Sequence, residues 1–172
     1  MQQAEEDALV MAAQNGNQRA FEMIFRRYQK PILRYAFKVC RDRQMAEDAV
    51  QDSWITLAKS LKRLRDPRAF RSWLYKTVHW RLMDLMRVDS SRTQNEDEFD
   101  DQLHSVSTDK ISGVSDIGEA LNRLPLVEKQ IIHLFYLDEL KLAEVAVVLD
   151  IPIGTVKSRL NRARNMMRER FG

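Results

Sequence analysis

Residues 141–167 read KLAEVAVVLDIPIGTVKSRLNRARNMM, two short helical patterns separated by a corner. The first pattern has a single apolar stripe at helical spacing, formed by Leu142, Val145, Ala146 and Leu149. Asp150-Ile151-Pro152 then interrupts the pattern, because proline is disfavoured inside a helix and aspartate tolerates a left-handed backbone. This stretch therefore predicts a helix-turn-helix.

The second helix of this pair has an apolar side and a basic side. Its inward stripe consists of Val156, Leu160, Ala163 and Met167. The opposite side and its flank carry Thr155, Lys157, Ser158, Arg159 and Arg162, within a segment, 152–172, that holds six Lys or Arg and one acid. Basic side chains neutralise DNA phosphates, and exposed Arg, Ser or Thr can reach base edges. The alternative is a basic helix that is merely solvated. The corner between two helices that each carry an apolar stripe favours a recognition helix instead.

The composition of the whole chain favours helices. Of its 172 residues, 44% are hydrophobic and 31% charged, with only 5 Gly and 4 Pro. Helical stripes recur along the chain, and no segment shows the alternation of a β-strand. We predict an all-α protein of two small helical domains joined by an acidic flexible linker.

Five helical patterns are predicted before residue 90. They cover Glu5–Asn15, a segment from Gln18, a segment that Pro31 opens, Ala46–Leu64, and Pro67 to about Arg87. The apolar pattern then stops and resumes near residue 116. The predicted boundaries are 1–90 for the first domain, 91–115 for the linker and 116–172 for the second domain.

The predicted linker is strongly acidic. Residues 90–118 contain seven acidic and two basic residues and few apolar ones. A segment of low hydrophobicity and high net charge buries too little surface to fold by itself. We therefore expect a flexible connection.

The segment just before the linker is basic and aromatic. Residues 59–92 hold ten Lys or Arg and three Asp, interleaved with Phe70, Trp73, Tyr75, His79 and Trp80. Cations that follow the backbone and rings that stack on unpaired bases bind single-stranded nucleic acid. Phe70 and Trp73 lie on the apolar face and are expected in the core. Tyr75, His79 and Trp80 remain as candidates for stacking.

An acidic cluster occupies the outer side of the preceding helix. It comprises Glu47, Asp48, Gln51 and Asp52, opposite the Leu and Trp stripe. A polar outer face is normal for any surface helix. The same cluster could dock a basic partner, because complementary charge steers association. The residues alone leave both interpretations open.

No set of catalytic or metal-binding residues is evident in the sequence. The three histidines are scattered, CxxC pairs and phosphate-binding glycine loops are absent, and the single Cys40 permits no disulfide framework. No apolar run approaches the about 20 residues that span a bilayer, and the N-terminus MQQAEEDALV is acidic where a signal peptide is basic. We predict a cytoplasmic protein without membrane insertion, catalytic residues, metal site or cofactor.

Three ordered motifs resemble those of one bacterial family. AEDAVQDSW at 46–54, FRSWLYKTVHWRLMDLMR at 70–87 and IPIGTVKSRLNRAR at 151–164 occur in this order, with the acidic segment between the second and the third. The chain resembles the extracytoplasmic-function (ECF) sigma factors of the sigma-70 family, the minimal form that keeps only regions two and four. The resemblance extends from about Glu6 to Arg170 and implies an alternative sigma factor for promoter-specific transcription initiation.

The resemblance implies a role for each surface. In core RNA polymerase, the β′ clamp helices would contact Glu47, Asp48, Gln51 and Asp52, and the β flap would contact an apolar groove around Leu134 to Leu140. In promoter DNA, the −35 element would be read by Thr155, Lys157, Ser158, Arg159 and Arg162. The candidates for capturing the unpaired −10 strand are Lys62, Arg63, Arg65, Arg68, Tyr75, Lys76, His79 and Trp80. The acids from Glu96 to Asp101 would follow the RNA exit path. The sequence is silent on whether an anti-sigma factor is a further partner.

Two other classes of protein remain as alternatives. A conventional transcription regulator would pair the same DNA reader with a sensor or dimerisation domain, and the basic, aromatic segment argues against it. A nuclease or RNA-modifying enzyme would also be basic, but it needs clustered carboxylates or a nucleophile with its base. The sequence contains neither arrangement.

Overall fold

The computed structural model describes residues 2–96 and 116–171, which form α-helices and short helical turns with no β-strand in those two ranges. The N-terminal lobe contains α1 (Gln3–Gln14), α2 (Gln18–Cys40), α3 (Arg43–Ser60) and α4 (Phe70–Glu96). Short 3₁₀ turns, Leu61–Arg63 and Pro67–Ala69, connect α3 to α4. The C-terminal lobe contains α5 (Asp116–Asn122), α6 (Leu126–Ile132) with a π-helical turn (His133–Leu137), α7 (Leu142–Leu149) and α8 (Ile153–Phe171). The predicted all-α class is confirmed.

Pro31 lies inside α2, so the prediction that it opens a separate helix is wrong. An interior proline removes a backbone hydrogen bond and costs about 3 kcal/mol. The buried stripe nevertheless continues across it, because Tyr28, Ile32 and Tyr35 are at most 6% exposed. Burying each such side chain contributes about 1.5–3 kcal/mol. Continuous packing therefore outweighs the cost of the proline.

The last helix of the N-terminal lobe is longer than predicted. α4 continues to Glu96, past the boundary expected at residue 90. No Gly or Pro interrupts residues 88–96, and the hydroxyls of Ser90 and Ser91 donate to the carbonyls of Met86 and Arg87 at 2.9 and 3.0 Å. Residues 97–115, with most of the acids expected on the RNA path, lie outside the described residues.

The helices of the N-terminal lobe share one apolar core. Ile32 of α2, Leu57 of α3 and Phe70 and Leu74 of α4 are all at most 1% exposed. The predicted core position of Phe70 is confirmed. This core fixes the orientation of α3 and α4, which carry the acidic cluster and the basic, aromatic segment.

The two lobes contact each other directly. α4 packs along α7, and α2 touches α6. Arg71 of α4 donates to both carboxylate oxygens of Glu144 on α7, at 2.9 and 2.6 Å. Beside this pair, the ring of Tyr35 lies 5.5 Å from the ring of His133. These four residues define what we call the seam, a contact that a flexible connection alone does not predict.

Candidate nucleic-acid interface

The corner of the helix-turn-helix has the predicted geometry. Asp150 adopts a left-handed backbone with φ 53° and ends α7. The next residue, Ile151, donates its N–H to the carbonyl of Ala146 at 3.1 Å. Val156 and Leu160 are at most 3% exposed, so the apolar stripe of α8 packs inward as predicted. The basic side of α8 consequently faces outward.

The five candidate −35 residues lie on the outer side of α8. Lys157, Ser158 and Arg162 are exposed, while Thr155 and Arg159 are half-buried. The Ser158 hydroxyl donates to the Thr155 carbonyl at 3.1 Å. The fold therefore places two hydroxyls and the cations of Arg159 and Arg162 on the outer side of α8, with Lys157 on its flank.

A buried carboxylate behind this face was not predicted. Glu128 in the first turn of α6 is 2% exposed, and the nearest Nη atom of Arg159 donates to it at 3.2 Å. A signal was present in the sequence, because Glu128 precedes the buried Ile131 and Ile132 by three and four positions and so shares their helix face.

Most of the candidate −10 residues are accessible. Lys62, Arg63, Arg65 and Arg68 are exposed around the 3₁₀ turns, Lys76 is half-buried, and Trp80 is 49% exposed on α4. Asp66 accepts from the Arg68 side chain at 3.1 and 3.0 Å, and these hydrogen bonds lower the pKa of Asp66. Arg68 is thereby held against the turn that precedes α4.

Tyr75 and His79 are corrected from candidate DNA contacts to core residues in this structure. They are 2% and 8% exposed, and the Tyr35 hydroxyl lies 3.0 Å from Nδ1 of His79. Burial raises the pKa of Tyr75 and lowers the pKa of His79 to about 4. The physical reason is that α4 packs against both lobes, so more than one of its sides is covered, whereas the sequence pattern revealed a single apolar face.

The acidic cluster lies on the outer side of α3, with its charges unequally compensated. Glu47 pairs with Arg43 at 3.0 Å, and Asp52 pairs with Arg81 at 2.8 Å. Asp48 instead accepts from the neutral amide of Gln44 at 3.0 Å, and Gln51 is exposed. The accessible negative charge of this face is therefore concentrated at Asp48.

The apolar groove of the C-terminal lobe lies partly within the expected range, Leu134 to Leu140, and partly on α5. Leu134 and Leu140 are at most 1% exposed and belong to the core. The accessible apolar surface is provided by Ile117, Tyr136 and Leu137, which are 56%, 49% and 58% exposed. Tyr136 also accepts a hydrogen bond from Arg164 at 2.6 Å. A partner of this groove would meet both apolar and basic groups.

The residues that the structure describes contain neither a metal-binding cluster nor a membrane-spanning helix. Within 2–96 and 116–171, no three His, Cys, Asp or Glu side chains are grouped as a metal ion would require. No helix of this part of the chain combines the length and the hydropathy needed to span a membrane.

The sequence matches two family models. The model described as Sigma-70 region 2 matches residues 24–92, and the model described as Sigma-70, region 4 matches residues 115–167. The chain is 32% identical over 141 residues to the RNA polymerase sigma factor SigV of Bacillus subtilis, covering 82% of this chain and 84% of SigV. It is 28% identical over 184 aligned residues to the ECF RNA polymerase sigma-E factor of Haemophilus influenzae, covering 99% and 97% of the two chains.

A solved structure has the same fold. The sigma factor RpoE from Bartonella quintana, crystallised with the anti-sigma factor NepR, superposes with a TM-score of 0.72 at 22% sequence identity, covering 88% of this chain and 96% of RpoE. The helical fold, the helix-turn-helix and both sigma-70 regions define a sigma factor of the sigma-70 family. Within that family the chain belongs to the ECF sigma factors, and it is an alternative sigma factor that directs promoter-specific transcription with RNA polymerase.

Proposed function

We propose that α8 reads the −35 element as duplex DNA. The observation that carries this proposal is the outward face of α8, where Lys157, Ser158 and Arg162 are exposed beside the half-buried Thr155 and Arg159. A recognition helix places such side chains at base edges in the major groove and against phosphates. The function is binding without chemistry, in the cytoplasm, by residues 116–172.

The unpaired −10 strand is captured by the N-terminal lobe, residues 1–90. The proposed contacts are the accessible members of the predicted set, namely Lys62, Arg63, Arg65, Arg68, Lys76 and Trp80. Stacking of a base on an exposed aromatic ring contributes about 1–3 kcal/mol. This free energy offsets part of the cost of unpairing the promoter.

Core polymerase binds two separate surfaces. The β′ clamp helices contact Glu47, Asp48, Gln51 and Asp52 on α3, and the exposure of Asp48 supports this assignment. The β flap contacts the apolar surface of Ile117, Tyr136 and Leu137. Both surfaces lie outside the seam, so polymerase can reach them before the lobes separate.

The seam must open when both promoter elements are bound. The elements are about 25 base pairs apart, roughly 85 Å of B-form DNA at about 3.4 Å per base pair. α8 packs on α7 and α7 packs on α4, and packed helices lie about 8–10 Å apart. In the closed chain, the distance between α8 and the proposed −10 contacts on α4 is therefore much shorter than the distance between the two promoter elements. Core polymerase supplies the binding energy that holds them apart.

Run-off transcription tests this function. Genomic sites occupied after overexpression would supply the promoter, and the purified chain would be added to core polymerase on duplex and premelted templates. We expect specific transcripts only when both proteins are present. Failure on both kinds of template would overturn the proposal, and a specific gel shift without polymerase would support a conventional regulator instead.

A further inference from the structure

Glu128 is a buried carboxylate in the lobe that carries the DNA reader. It lies in the first turn of α6 and is 2% exposed. Glutamate is rarely buried to this extent unless a partner compensates its charge, because desolvating a carboxylate is costly. Its partners therefore indicate what the residue does.

Both partners belong to the proposed DNA-reading face of α8. One Nη atom of Arg159 lies 3.2 Å from Oε1 of Glu128, and one Nη atom of Arg162 lies 3.9 Å from the same oxygen. The two arginines are three positions apart and hence neighbours on the helix surface. Their side chains are 40% and 65% exposed. Each guanidinium has five donors, so donors remain for DNA after this contact.

A carboxylate in this position has two physical consequences. It restricts the rotamers of two long side chains before DNA arrives, so less conformational entropy is lost on binding. It also places negative charge directly behind a phosphate-binding surface, which weakens attraction that is independent of sequence. Both effects increase the difference in affinity between a correct and an incorrect site.

We propose that Glu128 is a positioning residue that sets −35 specificity by holding Arg159, and at longer range Arg162, in a reading orientation. This inference rests on the proposed function of α8. Glu128 itself does not touch DNA; it acts through the two guanidinium groups.

The test substitutes Glu128→Gln, which preserves the shape and one acceptor oxygen but removes the charge. Holoenzyme reconstituted with the full chain would be titrated with promoter duplexes carrying the correct −35 element or single-base changes in it, at several salt concentrations. We expect affinity for altered elements to rise and the preference for the correct base at one position to fall by about tenfold. Urea unfolding of the free chain would show that the variant is folded.

Three further variants make the result specific. Glu128→Asp should restore part of the preference, because it restores the charge. Glu119→Gln removes an exposed acid that pairs with Arg123 in the same lobe and should leave the preference unchanged. Arg159→Gln combined with Glu128→Gln should lose much less additional preference than Glu128→Gln causes in the wild type, since Arg159 is the nearer of the two groups through which Glu128 acts.

The outcomes separate this inference from the proposed function. If Glu128→Gln weakens binding to correct and altered elements equally, or leaves the preference intact while Arg159→Ala and Arg162→Ala reduce it, the positioning role is overturned and α8 still reads the −35 element. If neither arginine variant changes the preference, the proposed function of α8 fails and the inference fails with it.

Discussion

Arg71 and Glu144 form a two-point ion pair between the lobes, with Nε and Nη2 of the arginine at 2.9 and 2.6 Å from the two carboxylate oxygens. Their side chains are only 25% and 19% exposed. The hydrogen bonds to Glu144, followed by its charge, raise the pKa of Arg71 against the opposing effect of burial. Because a planar guanidinium fits a carboxylate at two points, this contact fixes orientation as well as distance.

Arg71→Ala should loosen the closed arrangement of the lobes. Loss of charge-assisted hydrogen bonds in a partly buried site should cost about 1–3 kcal/mol of unfolding free energy, and small-angle scattering should show a larger radius of gyration. Arg81→Ala, which breaks the exposed pair with Asp52 inside one lobe, should cost less than about 1 kcal/mol and leave the radius unchanged. Identical scattering from wild type and Arg71→Ala would contradict the role of the pair in closure.

The buried His79 should make the folded chain less stable in mild acid. Burial holds the pKa of His79 at about 4, whereas an exposed histidine titrates near 6.5. The unfolded chain therefore binds a proton that the folded chain excludes, so the contribution is complete above about pH 6.5 and is lost as the pH falls towards about 4. The loss across this window is about 3 kcal/mol.

The measurement is the free energy of unfolding in urea, compared between wild type and His79→Gln from pH 4 to 7. Taking the difference cancels the contributions of the carboxyl groups that both proteins share. The variant should show the shallower decline in stability below pH 6.5. Parallel curves for the two proteins would mean that His79 is not buried in its neutral form.

Asp48→Arg should impair polymerase binding without unfolding the chain. Asp48 is exposed and pairs with a neutral amide, so reversing its charge removes attraction for a basic partner and introduces repulsion. We expect at least a tenfold loss in competition for core polymerase, with the helical circular dichroism unchanged. Glu22→Arg makes the same charge change at an exposed position of α2 and serves as the control. Equal competition by both variants would refute the docking surface.

Trp80→Ala should weaken capture of unpaired DNA. The ring is 49% exposed beside Arg81 on α4, and loss of one base stack should cost about 1–3 kcal/mol. The readout is holoenzyme affinity for a template premelted at the −10 element, compared with a fully paired −35 duplex. Ile55→Ala, which truncates an apolar side chain of similar exposure on α3, should change neither affinity. A Trp80→Ala loss that is equal on both templates would argue against stacking.

The aromatic residues of α4 differ in how well helical spacing predicted their burial. Helical spacing identified Phe70 as a core residue and left Tyr75 and His79 as surface candidates. All three are buried. The prediction missed Tyr75 and His79 because helical spacing reports only the face that meets the nearest neighbours along the chain. Trp80, assigned by the same reasoning, is exposed. A second packing partner covers the Tyr75 and His79 side of the helix but does not cover Trp80.

The sequence by itself determined the helical class, the helix-turn-helix with its corner at Asp150, and the outward side of α8, because each depends on residues within a few turns of one another. Only the tertiary structure decided that α4 packs on α7, that Arg71 meets Glu144 and that Glu128 lies behind Arg159. Those contacts join residues 73 and 31 positions apart. Their formation depends on how whole helix faces pack, which no local spacing encodes.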